Sequence, residues 1–169
     1  MNDVAFRVIC KLFEEQGVEY QLLTHAACRT SAESAVARAS AGAPEAIGAK
    51  AILVNMIFEK ALVEFNVLVL PGTSRVDSRS LKSMVPQLKR FRFATADEML
   101  SLCGVTPGCM PPFARPIFPD LPRLFIDRAL LDHEWVGFNA ANLERSIVVR
   151  SKDYVRVACP AMLFSFALK

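Results

Sequence analysis

Lys50-Ala-Ile-Leu-Val-Asn-Met-Ile-Phe58, then Glu59-Lys60, then Ala61-Leu-Val-Glu-Phe-Asn-Val-Leu-Val-Leu70, is the stretch that sets the architecture. Short apolar runs of this kind, separated by a polar pair, read as two buried strands joined by a turn. They form a central hairpin. The same runs carry Asn55, Glu64 and Asn66 and are far shorter than the ~20 residues that a membrane-spanning helix needs.

Upstream, Val8, Ile9, Leu12 and Phe13 recur at helical spacing over residues 4–16, and Gly17 stands where a helix C-terminal glycine belongs. Val18, Tyr20 and Leu22 then alternate as a strand leading to Thr24-His25. Thr30 and Glu33 have capping-box spacing, which starts an alanine-rich helix running to about Ser40. Gly42, Pro44 and Gly48 lead into the hairpin.

Downstream, Pro71-Gly72 breaks the second strand, and Asp77 or Ser78 caps a short helix holding Leu81 and Met84 before Pro86. Leu88–Phe93 reads as another strand, and Thr95 with Glu98 repeats the capping box of a helix that Gly104 closes. The segment Gly104-Val-Thr-Pro-Gly108-Cys-Met-Pro-Pro112-Phe113 is a shaped loop, because its prolines remove backbone donors and fix φ. Leu124–Asp127, Val136–Phe138 and Ile147–Val149 are short strands, and Ser151 caps a last helical turn. Strands interspersed with a few helices, without regular alternation, indicate an α+β fold with a mixed sheet. Its 169 residues, 53% hydrophobic, fit one domain, residues 1–169.

Composition narrows the chemistry. The five cysteines (Cys10, Cys28, Cys103, Cys109, Cys159) include no C-x-x-C pair, and the two histidines, His25 and His133, lack metal-ligand spacing, so neither disulfide, metal nor cofactor is expected. Charges interrupt the N-terminal apolar pattern, unlike a secretory signal, so a soluble cytoplasmic protein is expected. Net charge is only +3, but Arg75, Arg79, Lys82, Lys89, Arg90 and Arg92 fall close together. They form either a solvated face or a phosphate-facing patch.

The segments just quoted resemble the prolyl-tRNA editing domain, the YbaK family of aminoacyl-tRNA deacylases. Gly108 to Pro112 is similar to the family's glycine loop of Gly, three residues and Pro, and Gly48-Ala-Lys50-Ala-Ile-Leu-Val54 to the segment bearing its functional lysine. Leu70–Asp77 and Phe125–Glu134 resemble family segments in the same order, and the likeness runs from about residue 5 to residue 157.

The resemblance implies a barrel-like central sheet flanked by helices and a freestanding hydrolase that cleaves the ester of mischarged tRNA. The expected substrate is tRNA(Pro) carrying alanine, serine or cysteine, and a prolyl-tRNA synthetase is a potential partner of the monomer or homodimer. It places Lys50, Gly108 and Pro112 at the chemistry, and His25, Thr30, Cys109, Met110, Asn139 and Ser146 at the substrate. Lys50 opens an apolar strand, so its ammonium either escapes to solvent or enters a pocket. A loop rich in glycine and proline presents fixed N–H groups, which suits an ester carbonyl gaining negative charge. An activated ester needs no protein nucleophile, which fits so sparse a catalytic inventory.

Asn139 stands where the branch acting on Ala-tRNA(Pro) has histidine, and Ser146 where the branch acting on Cys-tRNA(Pro) has an acid. The chain follows neither branch, although its loop is nearer to the alanine branch. Both replacements are uncharged hydrogen-bonding groups, which favours a small residue such as alanine or serine. The alternative, a non-catalytic tRNA- or synthetase-binding module, is disfavoured by the presence of Lys50. A DNA-binding regulator would need a helix-turn-helix or a basic recognition helix, and neither pattern occurs.

Overall fold

The computed structural model of the chain describes residues 3–168. In order, these form α1 (Asp3–Glu15), β1 (Tyr20–Thr24), α2 (Ser31–Ser40), β2 (Ala46–Phe58), β3 (Val63–Pro71), β4 (Arg75–Val76) and α3 (Ser78–Met84). There follow β5 (Leu88–Phe93), α4 (Ala96–Cys103), β6 (Leu124–Asp127), β7 (Trp135–Asn139), β8 (Arg145–Arg150), α5 (Ser151–Ala158), β9 (Met162–Phe164) and β10 (Ala167–Leu168).

Local signals explain the helices. α1 buries Ala5, Ile9 and Phe13, one residue per turn, and Gly17 then takes φ +62°. Thr30 and Glu33 complete a reciprocal capping box on α2, and Thr95 with Glu98 does the same on α4, which Gly104 ends at φ +64°. Asp77 caps α3 by accepting from the Arg79 amide at 2.9 Å.

The expected hairpin is the spine of a mixed sheet ordered β1-β8-β7-β2-β3-β6-β9, with β5 also on β2. The hydrogen-bonded path is open, with β1 and β9 at its ends. β2 pairs antiparallel with β3 from Ala49 to Ile57. Along its other edge it pairs in parallel with β7 at Ala46–Gly48 and antiparallel with β5 at Val54–Phe58. Val67 and Val69 of β3 face one core with α1 and α5, whereas Leu68 and Leu70 face a second with Leu81 and Phe166. Burial on both faces is why this strand reads as an unbroken apolar run.

β2 and α5 depart from the sequence expectation. β2 begins at Ala46, not Lys50, because its first residues find partners in a strand nearly ninety residues away. Ser151 is the first residue of α5 rather than its cap: Arg150 holds that position without a side-chain bond, and the buried Ser151 hydroxyl has no partner among the described residues. The helix runs eight residues, more than one turn.

The apolar tail folds back onto its own chain. β9 joins β6 in parallel and β10 joins β4. The buried Asp127 carboxylate accepts the amides of Phe166 and Ala167 at 2.6 and 2.7 Å.

Candidate active site

A cavity of about 420 Å³ opens between α2, the start of β2, the end of β7 and the loop at Gly108. Its wall carries the cations Arg29, Arg38 and Lys50 and no carboxylate.

Lys50 enters from β2, where register with Leu70 of β3 places it beside the segment that follows β3. Its ammonium donates to the Ser74 carbonyl at 2.6 Å, so of its two sequence-level alternatives the pocket is the one adopted. Burial, reinforced by the charge of Arg75, lowers its pKa below the ordinary lysine value. A half-buried ammonium is less hydrated than an exposed one, which favours contact with an anionic oxygen.

The opposite wall is the loop. Gly108 adopts φ +89°, and a Cβ there would meet the Arg29 carbonyl at 3.1 Å, so both backbone and space call for glycine. Cys109 and Phe113 spend their amides inside the loop, on Thr106 and Pro111. The amides of Gly108 and Met110 are left without an acceptor among the described residues. Two anchors hold the loop from behind. Asn139 Nδ2 donates to the Gly108 carbonyl at 2.8 Å, and the fully buried Tyr154 hydroxyl donates to the Pro112 carbonyl at 2.6 Å. Burial raises the Tyr154 pKa well above the ordinary tyrosine value, so the phenol stays a donor.

Asn139 is the hub of the wall. Its Oδ1 accepts from Ser34 Oγ at 3.2 Å and lies 3.3 Å from Ser146 Oγ, which in turn sits 2.8 Å from His25 Nε2. His25 Nδ1 donates to the Ala26 carbonyl, 2.8 Å away, because a carbonyl can only accept.

The residues singled out from sequence therefore separate into two layers. Lys50, Thr30, Gly108, Met110 and Asn139 line the cavity. His25 and Ser146 stand behind Asn139, Pro112 lies behind the loop, and Cys109 points into the core, 3.5 Å from Thr106 Oγ1. Arg29, Ser34, Arg38 and Phe93 also line the cavity and carry no motif of their own.

The basic segment is less uniform than its sequence suggests. Arg92 makes a two-pronged pair with Glu98, and Lys89 contacts Glu59 at 2.8 Å. Lys82, Arg92 and Phe93 border a second, shallower depression, and Phe93, 57% exposed, belongs to both concavities.

One cavity thus brings together a glycine loop with two amides unengaged among the described residues and three cationic side chains. Residues 25–157 match the aminoacyl-tRNA editing domain, and the chain belongs to that family. It is 27% identical over 164 residues to the multifunctional Ser/Thr-tRNA deacylase ProXp-y of Escherichia coli K12, covering 96% of this chain and 93% of that protein. Among solved structures, a hypothetical protein shares the fold with a TM-score of 0.75 at 24% identity, covering 95% of this chain and 99% of the other. A candidate trans-editing enzyme for prolyl tRNA synthetase shares it with a TM-score of 0.70 at 20% identity, covering 98% and 97%. No helix among the described residues is long and apolar enough to cross a membrane.

Proposed function

We propose that the chain, as one editing domain over residues 1–169, hydrolyses the ester linking a small amino acid to the 3′ end of mischarged tRNA(Pro). The observation that carries this reading is one cavity lined by Gly108 and Met110, whose amides have no acceptor among the described residues, and by the half-buried Lys50. The ester carbonyl sits against the two amides. A water molecule adds to the acyl carbon, and negative charge collects on the carbonyl oxygen where the fixed donors stabilise it. The bond to the ribose oxygen then breaks, that oxygen takes a proton, and free amino acid and uncharged tRNA leave. Lys50 steers the acceptor end through its phosphate or the ribose beside the ester. Serine and alanine fit a cavity of this size and polarity, and the E. coli relative's name points toward the hydroxylated members of that set.

The test is deacylation of Ala-, Ser-, Thr-, Cys- and Pro-charged tRNA(Pro) side by side. Lys50→Ala should lower turnover at least ~10-fold while the protein remains folded, as expected on removal of an interaction made in the transition state. Wild-type turnover in that variant removes Lys50 from the mechanism, and a preference for Pro-tRNA(Pro) overturns the editing function.

A further inference from the structure

Arg38, on the last turn of α2, is 4% exposed and has no hydrogen-bond or ion-pair partner among the described residues. Burial lowers its pKa, with only the nearby Cys28 acting in the other direction. None of its nitrogens is both sealed from solvent and unpartnered, so the guanidinium keeps its donors open to the cavity at the cost of partial desolvation, which an apolar side chain in the same space would avoid.

The sheet is shaped around it. Gly48 and Gly137 pair directly across the parallel β2–β7 ladder and leave a window free of side chains. A Cβ on Gly137 would lie 2.6 Å from Arg38 Nε and 2.9 Å from its Cδ, and one on Gly48 would lie 3.3 Å from Nη2. The guanidinium fills that window and lines the cavity.

What reaches it follows from connectivity. A polynucleotide must leave the cavity toward solvent, so its phosphates stay near the mouth, where Arg29 is exposed and Lys50 partly so. The acyl group is the terminal part of such a substrate and goes furthest in. Beside Arg38 on the same wall are Ser34, one turn earlier on α2, and Asn139, whose Oδ1 is an acceptor. A carboxylate can pair with the guanidinium but has no hydrogen to give that oxygen. A hydroxyl can accept from the guanidinium and donate to an oxygen at once.

We infer that Arg38 is the floor of the acyl pocket and selects esters whose amino acid carries a side-chain hydroxyl. The inference rests on the deacylase reading above and assigns the residue that separates serine and threonine from alanine. A site built to hydrogen-bond a hydroxyl discriminates against its methyl analogue far more strongly than an apolar pocket does.

The experiment measures kcat and KM for seryl-, threonyl-, alanyl- and aspartyl-tRNA with wild type, Arg38→Met and Arg38→Lys. Seryl and threonyl esters should lead in the wild type, and Arg38→Met should cut their advantage over alanyl by roughly tenfold or more, with Arg38→Lys intermediate. Equal losses on all four esters would make Arg38 merely structural and overturn the inference. A faster aspartyl ester overturns the hydroxyl assignment. Should the variants fail to fold, the wild type alone decides: a hydrolysis-resistant 3′-seryl-amido-adenosine should bind roughly tenfold tighter than its alanyl counterpart, and equal affinity sinks the idea. Hydrolysis of no ester at all defeats the deacylase reading itself, whereas hydrolysis without serine preference defeats only Arg38.

Discussion

Tyr154 of α5 donates its hydroxyl to the carbonyl of Pro112 over 2.6 Å, inside a cluster with Phe113 and Phe138 whose ring centroids lie 5.5 and 6.0 Å from its own. The ring fills the core and the oxygen anchors the loop that walls the site. Tyr154→Phe keeps the ring but strands the Pro112 carbonyl in a dry interior, which should cost ~1–3 kcal/mol of stability. Denaturant unfolding measures that cost. Deacylation by the folded variant should also fall, because a loosened loop no longer holds its amides in place; unchanged stability would mean that water reaches Pro112.

Glu98 gives a signed dependence on pH. Its hydrogen bond with Arg92, then the amide of Thr95, lower its pKa to about 2 from an ordinary value of 4.5. A depressed carboxyl contributes stability that is full above the unfolded-state value and fades as pH falls through the folded one. The stability gap between wild type and Glu98→Gln should thus be widest near neutrality and close as pH approaches about 2. A gap that stays constant throughout acid titration would show that charge on Glu98 is irrelevant.

Ser151 separates two expectations for one substitution. As a helix cap it would cost about 1 kcal/mol on change to alanine. Its hydroxyl is instead buried with no partner among the described residues, so Ser151→Ala should be neutral or slightly stabilising. Thermal unfolding of the single variant distinguishes these outcomes.

For the basic segment, the ion pairs rank the side chains. Lys89 and Arg92 already face carboxylates, while Arg79, Lys82 and Arg90 have no ion pair among the described residues. Neutralising these last three should lower the salt slope of tRNA binding by roughly one for each phosphate no longer neutralised, and Lys89→Gln should change it less. Identical slopes in the triple variant and wild type would leave the segment a solvated surface.

Much of the fold was legible because its signals are local. Thr30 with Glu33, Thr95 with Glu98, and the glycines at 17 and 104 mark helix ends within a few residues of themselves. β4, β9 and β10 escaped because each is two or three residues long and exists only through distant pairing. The site divides the same way. Lys50 and Gly108 stand in recognisable motifs, whereas Arg38 sits in the run Ser-Ala-Glu-Ser-Ala-Val-Ala-Arg-Ala-Ser and reads as an ordinary charge near a helix end. Only the meeting of Gly48 with Gly137, far apart in the chain, turns that position inward. Ser34 was hidden for the same reason.

The strap formed by β10 reaches further than the edge it covers. β10 pins β4, β4 begins directly after Ser74, and the Ser74 carbonyl is what Lys50 grips. During synthesis the lysine emerges more than a hundred residues before the strand that steadies its acceptor. A chain clipped behind Phe164 lacks the strand that pairs with β4, and with it the brace next to the carbonyl that Lys50 holds.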